Sequence, residues 1–244
     1  MRAHFALVLL LLPFGHVRAD TACIDPRSLT RSTVGITRYF DDGERSAKPD
    51  LLGIQGTGWF QSPTEIVTIG HVAVAMGLST HDWKVLTIDD GTDEQSVSVR
   101  IRHLVGGRIE KLAILELQAA VSTARSVAIR MSPLMPEDRV VTLAYPNHRP
   151  RSVAGRFVQY AGEGSLAGAA LLELYDGDDR LVVDHGASGA PVFDCEGRVA
   201  AVISTVITQI LSTPFGNRRI STAWGSPNVV SVPVQQLMEY SKAQ

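Results

Sequence analysis

The segment 186–191 reads GASGAP, which places Ser188 between Gly186 and Gly189 and just ahead of Pro191. Glycine permits close backbone approach and positive φ values, and proline forces an extended exit from the turn. Such a turn directs the serine hydroxyl outward and brings the backbone N–H groups of Gly186 and Ser188 together. This geometry is typical of a nucleophile beside an oxyanion hole, although the same pattern also occurs in ordinary loops.

The order of residues along the chain selects among the known arrangements of serine, histidine and acid. None of the seven histidines follows Ser188, whereas α/β-hydrolases carry their histidine after the nucleophile. Their nucleophile also leads into a helix, but segment 191–203 reads as a hairpin of strands. The subtilisin order needs an acid ahead of the histidine and a largely helical chain. The remaining order, histidine then acid then serine, makes His71 the candidate base, at the end of a strand.

Three motifs stand in this order: GTGWF at 56–60, TIGHV at 68–72 and GASGAPV at 186–192. Together they resemble the chymotrypsin/trypsin-like serine proteases, and in style the compact bacterial HtrA-type protease domain without its C-terminal peptide-binding module. The resemblance covers about residues 33 to 238. It implies an all-β, chymotrypsin-like double β-barrel that hydrolyses peptide bonds through an acyl-enzyme on Ser188. His71 would act as general acid and base, and the N–H groups of Gly186 and Ser188 would form the oxyanion hole.

The third catalytic residue departs from the family pattern. The acid normally opens an Asp-Leu-Ala-x-Leu strand, but segment 108–115 reads RIEKLAIL, with Lys111 in the acid's place. A lysine facing the imidazole would oppose its protonation by about 4 kcal/mol at an effective dielectric near 20. Neighbouring residues of an extended chain face opposite sides, so we expect Glu110 to supply the acid and Lys111 to reach water. In the alternative, Glu110 is a solvated surface residue and the acid has been lost.

That alternative defines the competing function, a catalytically impaired protease homologue that acts as a secreted peptide- or protein-binding module. Esterase activity alone would use the same residues as peptide hydrolysis. In the family, the residue six before the nucleophile forms the base of the primary pocket, and here it is Val182. The resemblance therefore implies a small or aliphatic P1 residue, with Val182, His185 and Ser204 lining the substrate cleft. Ala187 replaces the acid of the trypsin-type zymogen switch, so we expect the site to form directly on folding.

The first 19 residues predict an exported protein. Arg2 precedes an apolar run from Phe5 to Phe14, and a small residue stands before Asp20, as in a signal peptide. A membrane anchor is disfavoured because the run is shorter than the roughly 20 residues needed to span a bilayer, and the sequence before Cys23 matches a lipidation site poorly. Cleavage leaves 21 basic and 25 acidic residues, a net charge of −4. The sequence has no basic patch that would indicate a nucleic acid or an anionic lipid as partner. We therefore expect polypeptide substrates, and the signal peptide predicts a secreted or periplasmic protein.

The two cysteines, Cys23 and Cys195, form an even pair. In an oxidising compartment such a pair predicts a disulfide, here between the N-terminal segment and the hairpin after Ser188; two unpaired thiols are the alternative. Cys and His residues do not cluster at the spacing of metal ligands, so we expect neither a metal nor another cofactor.

Short apolar segments separated by turn residues, such as Asp41-Asp42-Gly43, predict the strands. We expect a peptidase domain over 20–244, with sub-barrels at about 33–118 and 136–233 and a crossover between them near 118–136. A short C-terminal helix is expected at about 233–241, with proline in its first turn. The predicted strands are 32–39, 53–61, 66–68, 85–88, 97–102, 112–117, 140–144, 156–160, 169–174, 181–183, 199–206 and 229–232.

Overall fold

The computed structural model describes residues 23–47, 51–107, 109–175, 186–206, 208–213, 216–221 and 227–241. Within these ranges the chain forms two closed barrels of six antiparallel strands each, followed by a short helix. The predicted fold class, an all-β chymotrypsin-like double barrel with a C-terminal helix, is therefore confirmed. No helix among the described residues is long and apolar enough to cross a membrane.

The N-terminal barrel has the strand order β1-β2-β3-β6-β5-β4 and closes through pairing of β4 with β1. In β4 and β5 apolar and polar residues alternate, because alternate side chains of a strand face opposite sides of the sheet. In β4, for example, Leu86 and Ile88 are buried, whereas Thr87 between them is partly exposed. The strands are β1 Thr33–Tyr39, β2 Gly53–Ser62, β3 Glu65–Ile69, β4 Lys84–Asp89, β5 Glu94–Gly106 and β6 Lys111–Leu117.

The C-terminal barrel has the strand order β10-β11-β14-β9-β8-β7. A separate two-stranded sheet, β12 with β13, follows β11, and α3 (Gln235–Ser241) ends the described chain. The strands are β7 Arg139–Ala144, β8 Arg151–Tyr160, β9 Ala170–Tyr175, β10 Pro191–Asp194, β11 Val199–Val206, β12 Thr208–Thr213, β13 Gly216–Ser221 and β14 Val229–Pro233.

The segment between the barrels, 118–138, contains no named strand or helix and packs against both of them. The Val127 N–H donates to the carbonyl of Phe60 in the first barrel. Two residues later, Ile129 forms a parallel bridge with Val199 in the second barrel. Phe193 of β10 joins the buried cluster of the first barrel. The barrels therefore share apolar packing, which fixes the side chains at their junction relative to each other.

A disulfide joins Cys23 to Cys195 across 172 residues of sequence. Next to it, the Ile24 N–H donates to the Cys195 carbonyl at 3.2 Å. The N-terminal segment is thus attached to the β10–β11 hairpin, the hairpin that follows the nucleophile turn. Disulfides persist in oxidising compartments, so this one is consistent with a secreted or periplasmic location.

Several local expectations differ from the structure. His71 is the second residue of a short helix, α2 (Gly70–Ala75), and not the end of a strand. The residues 41–43, predicted as a turn, instead begin α1 (Asp42–Ala47). This helix starts with reciprocal capping: Asp41 accepts from the Glu44 N–H, and Glu44 accepts from the Asp41 N–H. The hairpin β12–β13 was not expected, and the strand predicted at 181–183 lies outside the described residues.

Candidate active site

His71 lies at the start of α2, where β3 delivers the chain to the junction of the barrels. Its ring Nδ1 is 2.5 Å from Glu110 Oε1, and its backbone N–H donates to the same oxygen at 3.1 Å. A carboxylate accepts hydrogen bonds, so this contact favours the tautomer with the proton on Nδ1 and leaves Nε2 as an acceptor. The side chain is 49% exposed. The imidazole is thus oriented by two contacts and open to solvent, as a general base needs to be.

Glu110 immediately precedes β6 and turns its carboxylate into the junction of the barrels. One oxygen receives both hydrogen bonds of His71, and the other accepts from the Ser204 hydroxyl. Burial of the carboxyl opposes its ionisation. The hydrogen bonds from His71 and Ser204 outweigh that effect and hold the pKa of Glu110 below its ordinary range. Glu110 is therefore an anion at neutral pH that can stabilise a protonated imidazole.

Lys111 faces solvent. It is the first residue of β6 and pairs with Gly106 of β5. Its Cε lies 3.8 Å from the position that a Cβ on Gly107 would occupy, so the side chain runs along the loop that precedes Glu110. Among the described residues, no hydrogen bond or ion pair joins Lys111 to His71 or Glu110. Lys111 therefore stands at the acid's position in the sequence, but within the described residues it does not take the acid's position beside His71.

Ser188 lies in a turn whose flanking glycines both have positive φ, 98° at Gly186 and 89° at Gly189. Its hydroxyl donates to the backbone carbonyl of Ser204 at 3.1 Å. In the described part of the chain, no hydrogen bond joins this hydroxyl to His71, and none occupies the N–H groups of Gly186 and Ser188. The hydroxyl is thus engaged by the Ser204 carbonyl and not by the imidazole, and neither N–H group has an acceptor among the described residues.

Ser204 joins the two halves of the site. Its hydroxyl donates to Glu110 and its carbonyl accepts from Ser188. The family resemblance implies that Ser204 lines the cleft, and nothing in the sequence around β11 marks it as a partner of the acid. The other two residues predicted to line the cleft, Val182 and His185, lie outside the described residues.

The described residues contain no group of three or more His, Cys, Asp or Glu side chains that could hold a metal ion. The polar groups of the site instead consist of an imidazole, a carboxylate, two hydroxyls and two backbone N–H groups. This set can move a proton and stabilise a developing oxyanion.

Comparison with known proteins supports the same interpretation. A family profile described as the trypsin-like peptidase domain matches residues 56–202. Among curated protein sequences, none matches the chain. The fold is similar to that of the Rv3671c protease from M. tuberculosis in its active form, with a TM-score of 0.58, 16% identity, and coverage of 95% of this chain and 92% of that one. The inactive form of the Rv3671c protease has a TM-score of 0.58 and 15% identity, with coverage of 89% and 91%.

Proposed function

Because the chain belongs to the trypsin-like peptidase family, we propose that it is an exported serine endopeptidase that forms an acyl-enzyme on Ser188. The observation that carries this proposal is the contact of 2.5 Å between His71 Nδ1 and Glu110 Oε1. It supplies an acid–base pair at the junction where the family places one, although Lys111 occupies the usual position of the acid. We assign Glu110 the role of orienting His71 and stabilising its protonated form.

The acylation step begins when the Ser188 hydroxyl rotates from the Ser204 carbonyl towards His71. The Oγ–carbon bond to the substrate carbonyl forms as the hydroxyl proton moves to Nε2 of His71. The electron pair of the carbonyl double bond moves to its oxygen, where the N–H groups of Gly186 and Ser188 stabilise the negative charge. When the carbon–nitrogen bond breaks, His71 returns the proton to the leaving amine.

Deacylation repeats these roles with water as the nucleophile. His71 accepts a proton from water, the new oxygen–carbon bond forms, and a second oxyanion occupies the same N–H groups. The proton then returns to Ser188 as the acyl–oxygen bond breaks. No metal or organic cofactor takes part in this proposed scheme. We further propose a small or aliphatic P1 residue, on the basis of Val182, and export through the leader at 1–19.

Covalent labelling tests the proposal. The purified mature protein is treated with a fluorophosphonate probe, and the modified peptide is identified by mass spectrometry. We expect the label on Ser188, together with cleavage of a casein or mixed-peptide substrate. Ser188→Ala should abolish both and leave the melting temperature nearly unchanged. Undiminished cleavage by this variant would exclude Ser188 as the nucleophile.

A second candidate function, a secreted binding module that retains the protease fold, is favoured by one observation. The Ser188 hydroxyl is bonded to the Ser204 carbonyl rather than to His71. If that arrangement persists with a bound peptide, the serine is not activated. Wild-type protein that binds peptides in calorimetry, yet neither cleaves them nor reacts with the probe, would support this function over the peptidase.

A further inference from the structure

Thr57 of β2 makes two hydrogen bonds to the nucleophile turn, which we define as residues 186–189. Its hydroxyl donates to the Gly186 carbonyl at 2.6 Å, and its backbone N–H donates to the Ser188 carbonyl at 2.9 Å. The threonine is fully buried. It belongs to the N-terminal barrel, whereas the turn belongs to the C-terminal barrel.

We propose that Thr57 is a positioning residue that holds the nucleophile turn, and with it the Ser188 N–H, in the orientation that stabilises an oxyanion. This inference rests on the proposed peptidase function. It adds to that function a residue other than His71, Glu110 and Ser188, one whose side chain acts on the backbone of the turn rather than on substrate.

The direction of the Thr57 hydroxyl is fixed by its two partners. Its oxygen accepts the Tyr145 N–H at 3.0 Å, so its single proton is left for the Gly186 carbonyl. The Tyr145 carbonyl in turn accepts from the Gln55 side chain at 3.1 Å. The hydroxyl therefore sits between two backbone groups of the C-terminal barrel and cannot rotate without leaving both unpaired, which is costly in a buried site.

Three successive carbonyls of the turn are held. Thr57 donates hydrogen bonds to the carbonyls of Gly186 and Ser188, and the Ala190 N–H donates to the carbonyl of Ala187 at 3.0 Å. The Ala187 carbonyl and the Ser188 N–H belong to one planar peptide group, so fixing the peptides on either side of it also fixes the direction of that N–H. Ala187 itself is fully buried and carries only a methyl group. The turn therefore has no charged side chain at this position, and its restraint comes from neutral hydrogen bonds.

The test compares Thr57→Val, which removes the hydroxyl and keeps the β-branched shape, with Thr57→Ser, which keeps the hydroxyl. The matched control is Thr33→Val, because the Thr33 hydroxyl in β1 is also buried and has no hydrogen-bond partner among the residues that the structure describes. Each protein is assayed for kcat and KM on a peptide substrate. Each is also assayed for inhibition by a peptidyl trifluoromethyl ketone, whose adduct with the serine carries an oxyanion.

We expect Thr57→Val to lower kcat by about 10- to 100-fold, less than the 10²–10³ seen when an oxyanion donor itself is removed. KM should stay nearly constant, and the inhibition constant of the ketone should rise by the same factor as kcat falls. Thr57→Ser and Thr33→Val should behave like the wild type. A general loss of packing would instead reduce the fraction of protein that can be titrated at its active site. If Thr57→Val does not fold, Thr57→Ala, which removes the same hydroxyl, is assayed in its place.

Crystal structures of the wild type and Thr57→Val provide a second measurement that does not depend on activity. We expect the Gly186 carbonyl and the Ser188 N–H to change direction in the variant. Unchanged positions of both groups, or unchanged kcat and ketone inhibition, would overturn the role of Thr57. Failure of the wild type to cleave peptides or react with a fluorophosphonate would overturn the proposed function instead, and the two structures would still decide whether Thr57 holds the turn.

Discussion

The two barrels hold their halves of the site by different means. The N-terminal barrel presents His71 and Glu110, which are held by side-chain hydrogen bonds to the Glu110 carboxylate. The C-terminal barrel presents Ser188 on a turn whose carbonyls are held one after another and whose glycines have positive φ. The first half is therefore sensitive to the charge and length of its side chains, and the second to backbone geometry.

The hydroxyls of Ser204 and Thr57 both join the halves, and they donate in opposite directions. Ser204 of the C-terminal barrel donates its hydroxyl to Glu110 of the N-terminal barrel. Thr57 of the N-terminal barrel donates its hydroxyl to Gly186 of the C-terminal barrel. Each half is thus completed by a neutral hydroxyl from the other barrel. Substitutions in the N-terminal half should change charge-dependent properties, and substitutions in the C-terminal half should change the backbone conformation of the nucleophile turn.

The largest effect is expected from removal of the charge in the N-terminal half. Glu110→Gln should lower kcat by about 10³ to 10⁴, because in the chymotrypsin-like proteases the loss of the acid's charge alone costs about 10⁴. Lys111→Ala, one residue away and exposed, is the matched control and should change kcat little. Steady-state kinetics on a peptide substrate measure both. If Glu110→Gln is neutral and Lys111→Asp greatly raises activity, the protein is an impaired protease and Glu110 is not its acid.

Backbone geometry in the C-terminal half is tested by a pair of glycine substitutions. A Cβ on Gly189 would lie 2.1 Å from the Thr57 carbonyl oxygen and 2.2 Å from Thr68 Oγ1, whereas at Gly186 the nearest atom is 3.1 Å away. Both residues have positive φ, which costs a non-glycine residue about 1–2 kcal/mol. Gly189→Ala should therefore lower the free energy of unfolding by about 3 kcal/mol or more, and Gly186→Ala by about 1–2 kcal/mol. Urea unfolding curves measure both, and equal losses would show that the clash at Gly189 is relieved.

A smaller effect is expected at the connection between the halves. Ser204→Ala removes the hydroxyl that donates to Glu110 and keeps the carbonyl that accepts from Ser188. We expect kcat to fall by about tenfold or more, since a hydrogen bond to a charged group contributes about 1.5–3 kcal/mol. Ser231→Ala is the matched control, because the Ser231 hydroxyl is buried and, within the described part of the chain, has no hydrogen-bond partner. Full activity in Ser204→Ala would show that His71 alone orients the acid.

The features that sequence predicted are those with local signals. Alternating residues such as those of β5 predicted strands, and their number and spacing with the three motifs predicted the double barrel. The reciprocal capping of α1 was also a local signal, since aspartate at 41 and glutamate at 44 form the pattern of a capping box. It was missed because the intervening glycine at 43 was interpreted as part of a turn.

The contacts that sequence could not predict are those between the barrels. The Thr57 hydroxyl meets partners 88 and 129 positions away, and Ser204 meets Glu110 across 94 positions. Each depends on the register of two barrels and on their packing, which no short segment encodes. Threonine and serine are common in strands, so their type alone does not distinguish a residue that holds the site from one that fills a core.

The smallest expected effect is the pH dependence of stability that Glu110 contributes. Its pKa in the folded protein lies below its ordinary value, because the hydrogen bonds from His71 and Ser204 outweigh the effect of burial. A lowered folded pKa stabilises the native state above the unfolded pKa, about 4.3 for glutamate, and that contribution disappears as the pH falls through the folded value. The free energy of unfolding of the wild type minus that of Glu110→Gln should therefore decrease as the pH falls below about 4.5. Other carboxylates largely cancel in this difference, because both proteins contain them.

Urea unfolding at a series of pH values below about 5 measures this difference. A difference that grows as the pH falls below about 4.5 would show that burial outweighs the hydrogen bonds to Glu110 and that its carboxyl does not enter the site as an anion.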